Sequence, residues 1–225
     1  MIDALRAAPV TWALIGLNLL VFADTAIQPD PFGAQSLIDL GAIYGWAIGV
    51  DGAWWRLFSG IFLHGGPTHL LLNMISLYIV GQVAETLMDR WSYLLLYLAS
   101  GIAGGAVSVG IHPDGLSVGA SGAIFGILGA ILGYVIAHRR QMGSRFGALM
   151  REFGVILVLN LVLGLTIPGI DMSAHIGGLL VGIVGGSFMR TKVLARWWSV
   201  GVILGALIYV IGFYPARFTA QGLLQ

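Results

Sequence analysis

Long apolar stretches alternate with short polar linkers along most of the chain. Because the hydrocarbon core of a bilayer is about 30 Å thick, a helix that crosses it needs roughly 20 mostly apolar residues. Windows of this length predict seven spans, numbered here in chain order: 8–26, 68–86, 91–111, 117–137, 148–167, 172–189 and 193–214. The pattern therefore predicts an all-α, polytopic bundle of about seven membrane helices.

The linker between spans one and two is much longer than the others. Residues 27–66 are apolar but interrupted, and they include Trp46, Trp54, Trp55, Phe58 and Phe62. Aromatic side chains of this kind concentrate at the level of the lipid headgroups. We therefore expect short helices that lie in the membrane interface.

Turn residues mark several of the predicted helix starts. Gly66-Pro67 opens span two, Asp114-Gly115 precedes span four, and Pro168-Gly169 precedes span six. Proline is favoured in the first turn of a helix, and aspartate is a strong N-cap. Asp171 is accordingly predicted to cap span six.

The composition agrees with a membrane protein and narrows the chemistry. The 225 residues are 58% hydrophobic and 9% charged, with a mean hydropathy of +0.92. A soluble surface is excluded, and a net charge of +1 gives no field that would attract a nucleic acid. The absence of cysteine excludes disulfides and thiolate chemistry. We expect one membrane domain over 1–225, with a core at about 8–189 and a further span at 193–214.

The basic residues predict the orientation, because Lys and Arg near span ends favour the cytoplasmic side. Arg56 and Arg217 fall on one side of the seven-span arrangement. The other nine fall on the opposite side: Arg6, Arg90, Arg139, Arg140, Arg145, Arg151, Arg190, Lys192 and Arg196. The N-terminus is therefore predicted in the cytoplasm, and the C-terminus and long linker outside, in a multi-pass protein of the cell (inner) membrane.

Polar side chains near the starts of spans two, four and six are candidates for chemistry, since an unpaired polar group in a membrane is costly. They are His69, Asn73, Ser121 and His175. All three spans enter from the outside, and each residue lies within about two turns of its helix start. The four side chains should therefore share one depth, just below the outer surface.

A stripe of small residues predicts which helices meet. Small residues recur at every fourth position of span six, at Ala174, Gly178, Gly182 and Gly186. Such stripes permit close helix packing in membranes. Span four is the natural partner because it carries its own glycines, at Gly122, Gly126, Gly129 and Gly133. Ser121 and His175 would then come together.

A serine beside an imidazole can act as a nucleophile, because the imidazole removes the hydroxyl proton. Asn73, His69 and the Ser121 backbone N–H are the available donors for the oxyanion. The simpler interpretations remain open: a membrane serine often bonds its own helix, and a histidine can serve packing alone. Because Asp171 is predicted to be a cap, we expect a Ser-His pair without a third carboxylate.

Five short motifs occur in an order that resembles the rhomboid family of intramembrane serine proteases, over about 41–189. They are Trp54-Trp55-Arg56, His69-x-x-x-Asn73, Gly81-x-x-x-Glu85, Gly119-Ala120-Ser121-Gly122 and Ala174-His175-Ile176-Gly177-Gly178. The resemblance implies a six-helix core, here with a seventh span, and a water-filled cavity open to the outside. It also implies that span five acts as a lateral gate.

The family's activity supplies further expectations. The resemblance implies a Ser121–His175 dyad, with no metal and no cofactor, that cuts single-pass membrane proteins near the outer end of their transmembrane helices. The expected partners are transmembrane protein substrates and the lipid bilayer, with no nucleic acid. Phe125 stands where the family often has tyrosine, and it can stack on the His175 ring. Structural roles are expected for Arg56, Glu85, Gly119, Gly122 and Gly178.

Two other functions compete with proteolysis. A catalytically inactive rhomboid-like protein that binds membrane clients would be expected to lack Ser121 or His175, and both are present. A small transporter is less favoured, since no inverted repeat or proline-broken pair of spans is visible. No His-Glu-x-x-His motif supports a metalloprotease.

Overall fold

The computed structural model describes residues 8–166 and 170–216. The predicted turn at Pro168-Gly169 and the basic residues Arg6 and Arg217 lie outside the described residues. Within them, a long helix corresponds to each of the seven predicted spans. These helices are α1 Pro9–Ala26, α5 Pro67–Leu87, α6 Arg90–Ile111, α7 Ser121–Ala137, α9 Arg145–Thr166, α10 Met172–Ser187 and α11 Lys192–Ile208.

Shorter elements complete the described chain. They are α2 Ala34–Asp39, β1 Ile43–Tyr44, α3 Gly45–Gly49, α4 Arg56–Ser59, β2 Leu116–Ser117, α8 Arg139–Met142 and a π-helix at Tyr209–Phe213 that continues α11. In the part of the chain that is described, four helical segments are long and apolar enough to cross a membrane: α1, α5, α6 and Lys192–Phe213. Helices α7 and α10 are apolar but shorter. The protein is a polytopic helical membrane bundle.

Span four begins later than the sequence predicts. Residues 116–117 pair antiparallel with 43–44 as β2 and β1, so the turn at Asp114-Gly115 leads into a strand and not into a helix. Gly119, with φ of +121°, then turns the chain into α7. The predicted start at Ser117 was therefore wrong, and Ser121 is the first residue of its helix.

Side chains complete three helix starts. Pro67 lies in the first turn of α5, as predicted. Asp171 caps α10, also as predicted, by accepting from the amides of Ser173 and Ala174 at 3.1 Å each. Glu85, near the end of α5, accepts from the backbone amide and the hydroxyl of Thr11 at 2.7 and 2.8 Å. Glu85 thereby links the C-terminal end of α5 to the start of α1.

The long linker forms three short helices, as predicted. Trp46, Trp54, Trp55 and Phe58 are between 37% and 49% exposed, which suits residues at an interface. Phe62 is only 5% exposed, so the prediction of an interfacial role for it was wrong. Its ring is tilted against Phe58 at 5.4 Å and belongs to the buried core.

Arg56 holds the linker together from its own short helix. Its guanidinium donates hydrogen bonds to the carbonyl oxygens of Ile38 and Ala42. It also lies over the Trp55 ring, 5.0 Å from the centroid. These contacts join α4 to α2 and to the residue that precedes β1.

His64 is a fully buried residue of the same linker. Its Nδ1 lies 3.2 Å from the Phe62 carbonyl oxygen, and its ring contacts His69 edge to face at 5.2 Å. The pKa of His64 is lowered to about 3, chiefly by burial and also by the nearby His69, while the hydrogen bond to the Phe62 carbonyl opposes both effects. The folded protein therefore keeps His64 neutral.

Helix α7 lies at the centre of the bundle, and α10 packs on it backbone to backbone. A Cβ added to Gly178, Gly182 or Gly186 would overlap the carbonyl oxygen of Gly122, Gly126 or Ala130, respectively. The predicted pairing of spans four and six through small residues is confirmed. Helix α11 docks mainly on α6, and its Arg196 pairs with Asp89, the N-cap of α6, at 2.6 Å.

We expect Gly182→Ala to lower the thermal midpoint in detergent, because its new methyl group forces α10 away from α7. The cost should be about 2 kcal/mol, as for other overpacked cores. Gly201→Ala is the matched control, since nothing lies within 4 Å of a Cβ at Gly201. An equal effect of the two substitutions would contradict the packing described here.

Lowering the pH should destabilise the protein partly through His64. Between its ordinary pKa of 6.5 and the folded value of about 3, the unfolded chain binds a proton that the folded chain does not. Stability from this group is therefore lost as the pH falls below 6.5. The thermal midpoint should fall less between pH 7.5 and 5 in His64→Asn than in wild type. Parallel pH curves for the two proteins would disprove this contribution.

Candidate active site

Ser121 and His175 lie side by side at the N-terminal ends of α7 and α10. The Ser121 Oγ is 2.7 Å from Nε2 of His175, within ordinary hydrogen-bond distance. His175 is 4% exposed, whereas Ser121 is partly accessible. The close approach at Gly122 and Gly178 brings the two helices near enough for this contact. The sequence-based expectation that the two side chains meet agrees with this distance.

The His175 ring is held by stacking. Phe125, one turn after Ser121, lies parallel to it with centroids 4.3 Å apart and planes at 15°. The Nδ1 atom has no hydrogen-bond partner among residues 8–166 and 170–216. The Asp171 carboxylate does not contact it, because it caps the helix instead. In the described part of the chain, the hydroxyl and the imidazole therefore meet without a carboxylate on Nδ1.

Asn73 and His69 approach the same point from α5. Asn73 donates one amide hydrogen to the His69 carbonyl oxygen at 2.9 Å, which leaves its second amide hydrogen available. The Nδ1 atom of His69 accepts from the Gly65 amide at 3.4 Å, so Nε2 carries the proton. A Cβ on Gly119 would lie 2.8 Å from the His69 ring, so only glycine fits at this turn.

A cavity of about 80 Å³ brings the four polar side chains together. Its walls are mainly apolar. The cavity is lined by His69, Leu72, Asn73, Ser76, Ser121, Ile124, Phe125, Asn160, Gly164, Ile170 and His175. The four candidate residues from the sequence therefore share one site, whereas Arg56 and Glu85 lie away from its lining.

The sequence reasoning did not identify Ser76 and Asn160 as part of this cavity. Asn160 is a polar residue in the middle of predicted span five, which was a sufficient signal for a functional candidate. Its amide donates to the carbonyl oxygen of Ile156 on its own helix at 2.8 Å. Ser76 had no such signal, because a hydroxyl in a membrane helix usually bonds its own backbone.

No group of three or more metal-binding side chains is found in the described part of the chain. His64 is close to His69, but it is not part of the cavity lining. The polar groups at the site are therefore two hydroxyls, two imidazoles, two carboxamides and the N-terminal amides of α7.

Comparison with known proteins places this geometry in a family. The Rhomboid domain family model matches residues 51–192. Rhomboid protease GluP of Bacillus subtilis is 38% identical over 172 residues, which cover 76% of this chain and 33% of the relative. RHOMBOID-like protein 5 of Arabidopsis thaliana is 44% identical over 134 residues, or 59% of this chain and 43% of the relative.

A shorter relative, the putative rhomboid protease YdcA of Bacillus subtilis, is 34% identical over 144 residues, covering 63% of this chain and 71% of that protein. The chain spans about a third of GluP and less than half of RHOMBOID-like protein 5. Since the family model covers more than half of the sequence and includes all four candidate residues, this chain belongs to the rhomboid family.

Proposed function

We propose that the protein is an intramembrane serine endopeptidase with Ser121 as the nucleophile and His175 as the general base. The separation of 2.7 Å between Oγ and Nε2 is the observation that carries this proposal. Relatives named as rhomboid proteases support the same activity.

In the first half of the reaction, Nε2 of His175 takes the proton of the Ser121 hydroxyl while Oγ attacks the peptide carbonyl carbon. The imidazole then gives this proton to the leaving nitrogen, the C–N bond breaks, and an acyl enzyme forms. This step requires a neutral His175 with its hydrogen on Nδ1. The apolar Phe125 face suits a neutral ring and restricts its rotation.

In the second half, a water molecule replaces the leaving amine. His175 takes a proton from the water, and the hydroxide attacks the acyl carbon. Collapse of the tetrahedral intermediate breaks the bond to Oγ, which regains its proton from the imidazole. The partial exposure of Ser121 is compatible with water entering from the outer side.

The oxyanion of both intermediates lies against α5 and the start of α7. The free amide hydrogen of Asn73, Nε2–H of His69 and the Ser121 backbone N–H are its donors. The last belongs to the first turn of a helix, where amides lack intrahelical partners and the dipole favours negative charge. Each donor contributes about 3 kcal/mol to transition-state stabilisation.

The substrates are single-pass membrane proteins, cut near the outer ends of their transmembrane helices. A membrane segment reaches the site between α5 and α9, because both helices line the cavity and α9 exposes Val155, Val158 and Leu159 along its outer face. Gly164 lies next to His175, so α9 covers the base until it moves. Helix α9 is therefore the gate of the proposed enzyme.

The protein is oriented with its N-terminus in the cytoplasm and its active site open to the outer face of the cell membrane. The basic residues on the opposite side of the bundle support this orientation. One membrane domain holds the site, with a core at about 8–189 and the additional span at 193–214.

Labelling with a fluorophosphonate probe tests the proposed nucleophile. We expect labelling of wild type and its loss in Ser121→Ala, together with the loss of cleavage of a model single-pass substrate. His175→Ala should reduce both signals at least 1,000-fold, the order of magnitude for losing a triad base.

Ser199→Ala is the control, because Ser199 is fully buried in α11 and bonds the carbonyl oxygen of Ala195 in its own helix. This variant should retain normal labelling. A wild-type protein that folds and binds membrane clients, but shows no labelling dependent on Ser121, would be the inactive alternative and not a protease.

Cysteine accessibility in intact cells tests the orientation, since the native chain has no cysteine. A membrane-impermeant maleimide should label Asp114→Cys without lysis and Arg140→Cys only after lysis. Both positions are exposed, so access to the reagent depends on the side of the membrane. The reverse pattern would rule out an outward-facing site.

A further inference from the structure

The end of the additional span packs into the core of the bundle. Helix α11 continues as the π-helix, and Tyr214 follows it directly. Val210 and Tyr214 are 1% and 2% exposed and belong to the main buried cluster, whereas their neighbours Ile211 and Phe213 are more than half exposed. A fully buried tyrosine at the end of a largely exposed helix indicates a specific contact with the rest of the protein.

The π-helix brings two tyrosines to one face of the span. The Tyr214 amide donates to the Tyr209 carbonyl oxygen at 2.8 Å, and the two rings lie 6.0 Å apart. Positions five apart point in different directions on a regular α-helix, so the wider π turn is needed to align them. Tyr209 then reaches the end of α6, where a Cβ on Gly110 would lie 3.0 Å from its hydroxyl oxygen.

The Tyr214 hydroxyl lies against the residues that flank the β1–β2 pair. Gly45 follows β1 directly, and Pro113 precedes β2 by three residues. A Cβ on Gly45 would overlap both the Tyr214 hydroxyl oxygen and the Pro113 carbonyl oxygen. Both atoms therefore pack on the same face of Gly45, and no larger residue fits there. The end of the additional span thus contacts the two-stranded sheet where its strands begin and end.

This sheet leads directly into the nucleophile. Strands β1 and β2 pair antiparallel, and only residues 118–120 separate β2 from Ser121, the first residue of α7. In this turn, the Gly119 amide donates to the Gly60 carbonyl oxygen at 2.9 Å. Because the connection is so short, a displacement of β2 must also displace the first turn of α7.

Two of the proposed oxyanion donors depend on the position of this turn. The Ser121 backbone N–H belongs to it, and the His69 ring packs so closely on Gly119 that a Cβ there would lie 2.8 Å away. Oxyanion donors act only when they point at the place where negative charge develops, so a small displacement weakens them. The position of the β1–β2 pair therefore affects the transition state of the proposed reaction.

We propose that Tyr214 is a positioning residue of the proposed enzyme. Through Gly45 and the β1–β2 pair, it holds the turn before Ser121 so that the Ser121 amide and the His69 ring face the oxyanion. This inference rests on the proposed protease function. It gives the additional span a role in turnover, although none of the described residues of that span lines the site cavity.

The role predicts a loss in kcat without a change in KM. The substrate segment of the proposed reaction enters between α5 and α9, whereas α11 docks mainly on α6. Substrate binding therefore does not involve Tyr214, but stabilisation of the oxyanion does. Loss of an interaction that is made only in the transition state lowers kcat and kcat/KM equally.

Cleavage of a quenched fluorescent peptide with one transmembrane segment, measured in detergent, tests this role. Rates are divided by the fraction of enzyme that a fluorophosphonate probe labels at completion, so misfolded protein does not contribute. Tyr214→Leu should lower kcat about tenfold at unchanged KM, since a displacement below 1 Å at a reacting centre has effects of this order. Tyr214→Phe removes only the hydroxyl next to Gly45 and should lower kcat about threefold. The phenylalanine variant decides the outcome if the leucine variant does not fold.

Arg196→Met is the matched control, because Arg196 joins α11 to the opposite end of α6 through Asp89. It loosens the same two helices without reaching the β1–β2 pair, so its kcat and KM should equal those of wild type. Wild-type kcat in every Tyr214 variant that folds, a change in KM alone, or an equal loss in Arg196→Met would overturn the inference alone if labelling still depends on Ser121. Loss of that dependence would instead overturn the proposed function.

Discussion

The site depends on the backbone contact between α7 and α10. Lipid tails are as apolar as leucine, so membrane helices associate through close packing more than through the hydrophobic effect. Glycines at 178 and 182 rest on the carbonyl oxygens of Gly122 and Gly126, and this sets the distance between the helix axes. Ser121 lies one residue before Gly122, and His175 lies three residues before Gly178, so both are next to this first contact. If a methyl group forced the two helices apart, the distance of 2.7 Å between Ser121 Oγ and His175 Nε2 would lengthen beyond hydrogen-bond range.

The same helix ends explain why the polar groups share one level. His69 is the third residue of α5, Ser121 the first of α7 and His175 the fourth of α10. The first-turn amides of a helix lack internal partners and carry partial positive charge. Negative charge is therefore tolerated at this level, both as the oxyanion of the proposed intermediates and as the Asp171 carboxylate. Deeper in the bundle, where helix interiors offer no free amides, such charge would be far more costly.

Much of this arrangement could be predicted from the sequence, because it follows from local rules. Span length, cap residues and a period of four in small residues require no knowledge of distant contacts, and they predicted the seven helices and the pairing of spans four and six. The polar residues at the helix starts could be selected for the same reason. Asn160 was equally visible as a polar residue within a span, and the sequence interpretation passed over it.

The remaining features depend on contacts between distant parts of the chain. A strand of two residues has no pattern of its own, so the pairing of 43–44 with 116–117 and the late start of α7 at Ser121 could not be predicted. From the sequence, Phe62 was predicted to be an interfacial aromatic residue, but the packing of the linker buries it in the core. The role of Glu85 could be inferred as structural, but Thr11, 74 residues away, could not be identified as its partner.

Within residues 8–166 and 170–216, no carboxylate bonds to Nδ1 of His175, and the use of the nearby acidic group explains why. A carboxylate on Nδ1 of His175 would lie between α9 and α10, where burying a charge costs several kcal/mol unless other donors satisfy it. Phe125 orients the ring by stacking, which requires no charge. The one acid nearby, Asp171, is stable because three donors hold its Oδ1 at the start of α10. Stacking on Phe125 therefore orients the imidazole ring, while the Asp171 carboxylate caps α10.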